Sequence, residues 1–151
     1  MADLRSRIEE LARADGFDLA GLATGMSASR VLGQTSFAGI GAGTSRTTMS
    51  GPWGLAVDTT GRRLFVADRG NSRVLVFTGM DLAGISDGMG AANVLGQSSW
   101  SGNSGGLAAN QMLWPAGVAY LSQGDRLFVG EDAARVLVFN LAAMTETGNS
   151  A

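Results

Sequence analysis

The sequence predicts an all-β protein, a β-propeller segment of about two four-stranded antiparallel blades, and three observations predict it. The chain repeats itself at a spacing of 63 residues. Within each repeat, short apolar runs are separated by turn residues and not by long helical patterns. The inner runs do not alternate apolar with polar, which marks strands covered on both faces. Small sheets covered on both faces and repeated in series are what stacked propeller blades require.

The repeat justifies the elements in order. Val31-Leu32-Gly33-Gln34 recurs as Val94-Leu95-Gly96-Gln97, and Arg63-Leu64-Phe65-Val66 recurs as Arg126-Leu127-Phe128-Val129. Arg73-Val74-Leu75-Val76-Phe77 returns as Arg135-Val136-Leu137-Val138-Phe139, one residue closer, so one residue is missing from the preceding turn of the second unit. In the first unit a short strand at Leu55 to Val57 closes on Asp58-Thr59-Thr60-Gly61, whose Asp and Gly suit a tight hairpin. A second strand covers Arg63 to Ala67, the turn Asp68-Arg69-Gly70-Asn71 follows, and a third strand covers Arg73 to Phe77. A fourth strand is expected at Asn93 to Gly96, with its copy at Arg30 to Gly33. The expected organisation is an N-terminal segment at 1–15, the last strand of a preceding blade plus its linker at 16–51, a complete blade at 52–97, a linker at 98–114, and a partial second blade with a truncated tail at 115–151. For the N-terminal segment two readings compete: a short helix over Arg5 to Arg13, rich in helix formers, is favoured over a decayed strand of an earlier blade.

Pro52-x-Gly54-Leu55-Ala56-Val57-Asp58, then Leu64-Phe65-Val66-Ala67-Asp68, then Asn71-Ser72-Arg73-Val74-Leu75-Val76-Phe77 resembles an NHL repeat. The span from about Gly16 to Phe139 is similar to the bacterial form of that family, whose units are joined by a VLGQ strand and a long polar loop. The resemblance implies a propeller, commonly of six blades, in which Pro52, Gly54, Asp68, Asn71, Arg73, Pro115, Gly117 and Arg135 are structural repeat positions. The second unit departs from the pattern at Val129-Gly130-Glu131-Asp132-Ala133-Ala134, where the match to Asn71 is lost.

Composition narrows the chemistry. The 151 residues include no Cys and no His, which removes disulfides, thiol chemistry and the usual zinc ligands. All eleven basic residues are Arg, and the net charge of −2 argues against a phosphate-binding surface, so nucleic acid is not expected as a partner. No apolar run reaches the length of a membrane span, and the N-terminus lacks a leader pattern, so no membrane partner is expected. Gly102-Asn103-Ser104-Gly105-Gly106 satisfies the GxSxG pattern, yet a nucleophile elbow needs a histidine base, and a flexible linker is the better reading. Gly39 to Gly43 lacks dinucleotide spacing, and a P-loop needs Lys. No catalytic residue, metal site or cofactor is therefore expected.

Function reduces to the loops. In a four-stranded blade the turn between second and third strands shares a rim with the interblade linker, which gathers Asp68 to Ser72, Glu131 to Ala134, Thr35 to Gly51 and Ser98 to Trp114. The candidate ligand-binding residues there are Arg69, Glu131, Asp132, Trp100 and Arg46, aromatic and charged groups of the kind that anchor partners. Trp53 and Trp114, beside the two prolines, are expected instead to fill the wedges between blades. The expected function is a binding or scaffold module for a protein or small ligand, with no catalytic set of its own. The alternatives are a fragment of a longer propeller enzyme, a metal-dependent lyase or hydrolase, and a truncated reading frame without independent function. Two blades would leave some eight to ten large apolar side chains of their outer faces in water, so the chain is expected to be part of a longer propeller or to form a homo-oligomer. In a trimer, Arg30 to Gly33 of one copy would complete the three-stranded blade of the next.

Overall fold

Among the described residues seven strands form two antiparallel sheets, and the repeat is visible in their hydrogen-bond register. A computed structural model of the protein describes residues 27–81 and 84–144. The first sheet contains β1 (Pro52–Asp58), β2 (Arg63–Asp68), β3 (Arg73–Phe77) and β4 (Asn93–Leu95) in sequential order. The second contains β5 (Pro115–Leu121), β6 (Arg126–Glu131) and β7 (Arg135–Asn140). The first strand is longer than expected, because a bulge between Pro52 and Leu55 carries the pairing back to Asp68; the same irregularity recurs between Pro115 and Gly117. The expectations for the N-terminal helix, and for the tail beyond Met144, fall outside the described residues.

The turns follow from local chemistry. Asp58 Oδ1 accepts the Gly61 N–H at 2.9 Å, closing the first hairpin. A short 3₁₀ turn at Arg69–Asn71 links β2 to β3, and Ser72 takes the left-handed conformation with φ of 50°. Ala134 does the same in the second sheet with φ of 57°, so the shortened turn keeps its exit geometry.

Two apolar clusters hold the sheets. One face of the first sheet, with Phe65, Val74 and Val76, packs against Leu127 and Val129 of the second, with Leu95, Met112 and Leu141 filling the same layer. Among the described residues no second sheet lies over the opposite face, with Val66, Leu75, Phe77 and Val94. It is covered by linker side chains, Met49, Ala91, Leu32 and Met89 among them. Every residue of β3 is buried, whereas β7 alternates half-buried and exposed. The doubly apolar runs are therefore doubly buried only in the first sheet.

Two expectations need correction. Arg30 to Gly33 forms no strand; a strand requires a neighbour to receive its backbone hydrogen bonds, and among the described residues the equivalent of β3 for this segment is missing. The number of apolar side chains on open sheet faces is also smaller than expected. Ten large ones are exposed among the described residues, but only Leu55, Val57, Leu121, Val136 and Val138 sit on the outer faces, because the linker shields the rest of the first sheet.

Candidate functional site

Apart from Arg69, the polar residues of the β2–β3 turn face inward. Arg73 and Asp68 are fully buried and paired, Nε to Oδ2 at 2.7 Å. The remaining guanidinium nitrogens donate to the carbonyls of Trp100 at 2.6 Å, Ser45 at 2.9 Å and Thr48 at 3.0 Å. Asn71 Nδ2 donates to Asp68 Oδ2 at 2.8 Å and to the Gly43 carbonyl at 2.9 Å, and Asp68 Oδ1 accepts the Ser50 N–H at 2.6 Å. One buried ion pair thus pins two linkers that have no strands of their own.

The second unit repeats this arrangement with Glu131 in place of Asp68. Arg135 Nε donates to Glu131 Oε1, Glu131 Oε2 accepts the Leu113 N–H at 2.8 Å, and Arg135 Nη1 reaches the Leu107 carbonyl at 2.7 Å. Glu131, a rim candidate by sequence, is engaged from below, and its side chain has no exposed surface. Trp100 and Arg46 are brought together, the guanidinium lying 4.9 Å from the ring centroid, with Arg46 Nε on the Ala91 carbonyl at 2.9 Å. Trp100 also packs against the linker-covered face.

The remaining two candidates meet at an exposed cluster. Arg69 Nη2 binds Asp132 Oδ2 at 2.6 Å, joining equivalent turns of the two sheets. The Arg69 guanidinium lies 5.4 Å from the Trp53 ring and 5.6 Å from the Trp114 ring. Trp53 is 70% exposed and Trp114 49%, so neither fills the wedge expected of it. Their exposure follows from the backbone: Gly54 lies against the Ala116 carbonyl, closing the gap between sheets where a wedge would go. Trp114 itself holds a left-handed φ of 48°.

A fourth cluster, at the other end of the strands, was not read from the sequence. Arg63 bridges the sheets by binding Asp58 Oδ2 at 2.8 Å, the Tyr120 hydroxyl at 3.0 Å and the Asp125 carboxylate. The Tyr120 hydroxyl donates to Asp125 Oδ1 at 3.0 Å, and its ring stacks on Phe65. Burial alone would raise the Asp58 carboxyl, but the Gly61 N–H and the Arg63 guanidinium outweigh it and hold the group below its ordinary range. Burial works against the Arg63 cation too, and the carboxylates of Asp125 and Asp58 more than compensate. Burial pushes the Tyr120 phenol up, and so does the Asp125 carboxylate. The signal available in the sequence was one of position: Tyr120 stands where the first unit has Val57, and a Tyr on an inward strand position needs a polar partner.

None of these clusters has the donor set of a metal centre: among the described residues no three His, Cys, Asp or Glu side chains gather to hold a cation. Residues 49–77, which contain β1 to β3, match the NHL repeat family. The chain carries an NHL repeat. No curated protein matches the chain. Among the described residues no helix is long and apolar enough to cross a membrane.

Proposed function

We propose that the chain is a non-catalytic binding module that recognises a protein partner at the rim formed by Trp53, Arg69, Trp114 and Asp132. The observation that carries the reading is the exposure of two tryptophans on either side of one arginine. Large aromatic faces left in water beside a fixed guanidinium are the composition of interface hot spots. Arg69 is held in place by Asp132, so its stem and the two rings are presented with little ordering left to do on binding. The ion pairs beneath, Asp68 with Arg73 fully buried and Glu131 with the partly exposed Arg135, keep the two turns at fixed positions. The partner segment that fits lays an apolar or aromatic side chain against the rings, with a hydrogen-bond acceptor towards Arg69.

Selection of a displayed random-peptide library on the immobilised chain tests this. Enriched sequences are expected to lose about tenfold or more in affinity on the Trp53→Ala or Arg69→Ala variant. Sequences that bind the double variant as well as the parent, or no enrichment at all, overturn the rim as the recognition surface.

A further inference from the structure

The two outer sheet faces are the separated halves of a contact that the chain already contains once. Between its sheets, the first presents Ala56, Phe65, Val74 and Val76. Their equivalents in the repeat, Ala119, Phe128, Val136 and Val138, are the same residue types and line the outer face of the second sheet. There Val136 is 62% and Val138 55% exposed. Conversely, the second sheet meets the first through Val118, Tyr120 and Leu127. The equivalents of these, Leu55, Val57 and Leu64, lie on the outer face of the first sheet, where Leu55 is 65% and Val57 57% exposed.

The strand edges match in the same way. Among the described residues β7 pairs only with β6, so its other edge is unpaired. The equivalent of β4 that would fill such an edge is Arg30 to Leu32, which has β4's local shape without its partner. Gly33 has φ of 84° and Gly96 of 85°. Met49 packs over Gly33 as Met112 packs over Gly96. The Val31 N–H donates to Asp87 Oδ1 at 3.0 Å and its carbonyl accepts from the Gly88 N–H at 3.2 Å. Once the segment is extended as β4 is, neighbouring residues turn their backbone groups to opposite edges, and Arg30 and Leu32 would then offer theirs away from that turn.

We propose that a second copy of this chain docks its β5–β7 sheet on the outer face of the first sheet, while Arg30–Leu32 pairs antiparallel with the β7 of that copy. The register follows from the β3–β4 pairing, in which Val76 faces Asn93 and Val74 faces Leu95. Val138 of the second copy then faces Arg30, and Val136 faces Leu32. The open concavity of about 400 Å³ along Gly117, Gly130 and Val136 receives the first sheet's outer face. The contact uses a different face on each copy and is heterologous. It uses sheet faces and one strand edge, the concavity reaches the rim only at Asp132, and its tests leave Trp53, Arg69 and Trp114 unchanged.

A mixing experiment tests it. The parent chain is expected to scatter light as a multiple of its 15.5 kDa mass. Leu55→Glu with Val57→Glu blocks one face, and Val136→Glu with Val138→Glu blocks the other; these positions are exposed, and circular dichroism checks that the sheets persist. Each double variant alone is expected to be monomeric. Their equimolar mixture is expected to form a dimer and nothing larger, since each keeps one competent face. A monomeric parent, a blocked variant that still self-associates, or a mixture that stays monomeric overturns the proposal. The register has its own readout that tolerates loss of affinity: with no native cysteine, Arg30→Cys and Val138→Cys on separate copies are expected to form an intermolecular disulfide on mild oxidation. Arg30→Cys and Leu121→Cys are expected not to, and equal cross-linking of both pairs overturns the register.

Discussion

Arg73 to Phe77 and Arg135 to Phe139 are the same five residues, yet the first run is buried at every position and the second alternates half-buried and exposed. The difference lies in what each sheet has on its far side. The first is roofed by linker residues such as Met49 and Leu32, and flanked by β4. The second has neither among the described residues. Burial is thus a property of a strand's surroundings, and an apolar run states only what the strand can tolerate.

The largest test of that contrast is at the two ion pairs. Arg73→Met leaves Asp68 buried without its counter-ion and is expected to cost about 3–5 kcal/mol. Arg135→Met removes a guanidinium that is 31% exposed, where water screens the loss, and is expected to cost about 1–2 kcal/mol. Urea unfolding followed by tryptophan fluorescence measures both, and equal costs would show that the two units are equivalently surrounded.

A smaller effect separates two glycines at the same repeat position. A Cβ on Gly54 would stand 2.0 Å from the Ala116 carbonyl oxygen, whereas one on Gly117 meets nothing within 4 Å. In the non-associating Val136→Glu, Val138→Glu variant, Gly54→Ala is expected to destabilise by about 1–3 kcal/mol, and Gly117→Ala to stay within about 0.5 kcal/mol. The same urea titrations decide it. A costly Gly117→Ala in the associated chain, absent from the Val136→Glu, Val138→Glu variant, would sharpen the comparison by locating the missing neighbour.

The smallest effect is at the cluster opposite the rim. Tyr120 is the single tyrosine, so its ultraviolet titration is unobstructed. Its folded value lies above the ordinary value near 10. The folded chain holds the phenol proton more tightly than the unfolded chain does, so the associated stability is complete below about pH 10 and is lost as pH rises through the folded value. A midpoint at the unfolded chain's value would break the Arg63–Tyr120–Asp125 bridge.

The strands and turns were legible because their determinants are local: apolar runs, Asp and Gly at the hairpins, and a repeat that prints each element twice. The four-stranded first sheet and the register of β3 on β4 follow from residues close in sequence. What could not be read depends on atoms brought from afar. The roof over Val66 and Leu75 comes from linker positions with no periodicity to betray them. Arg63 finds Tyr120 and Asp125 only once the sheets are stacked. Among the rim candidates, Arg69 and Asp132 converged, but Glu131 turned inward because it occupies the repeat position of Asp68. Trp53 and Trp114 were assigned to a wedge that the close approach of Gly54 to Ala116 eliminates.

That close approach also sets how the two sheets stack. The sheets are nearest where β1 meets β5, and elsewhere Leu95, Met112 and Leu141 occupy the layer between them. Two layers pinched on one side and propped apart on the other are stacked at a tilt, and the line about which they tilt runs past Gly54, where a missing methyl group lets the two backbones meet.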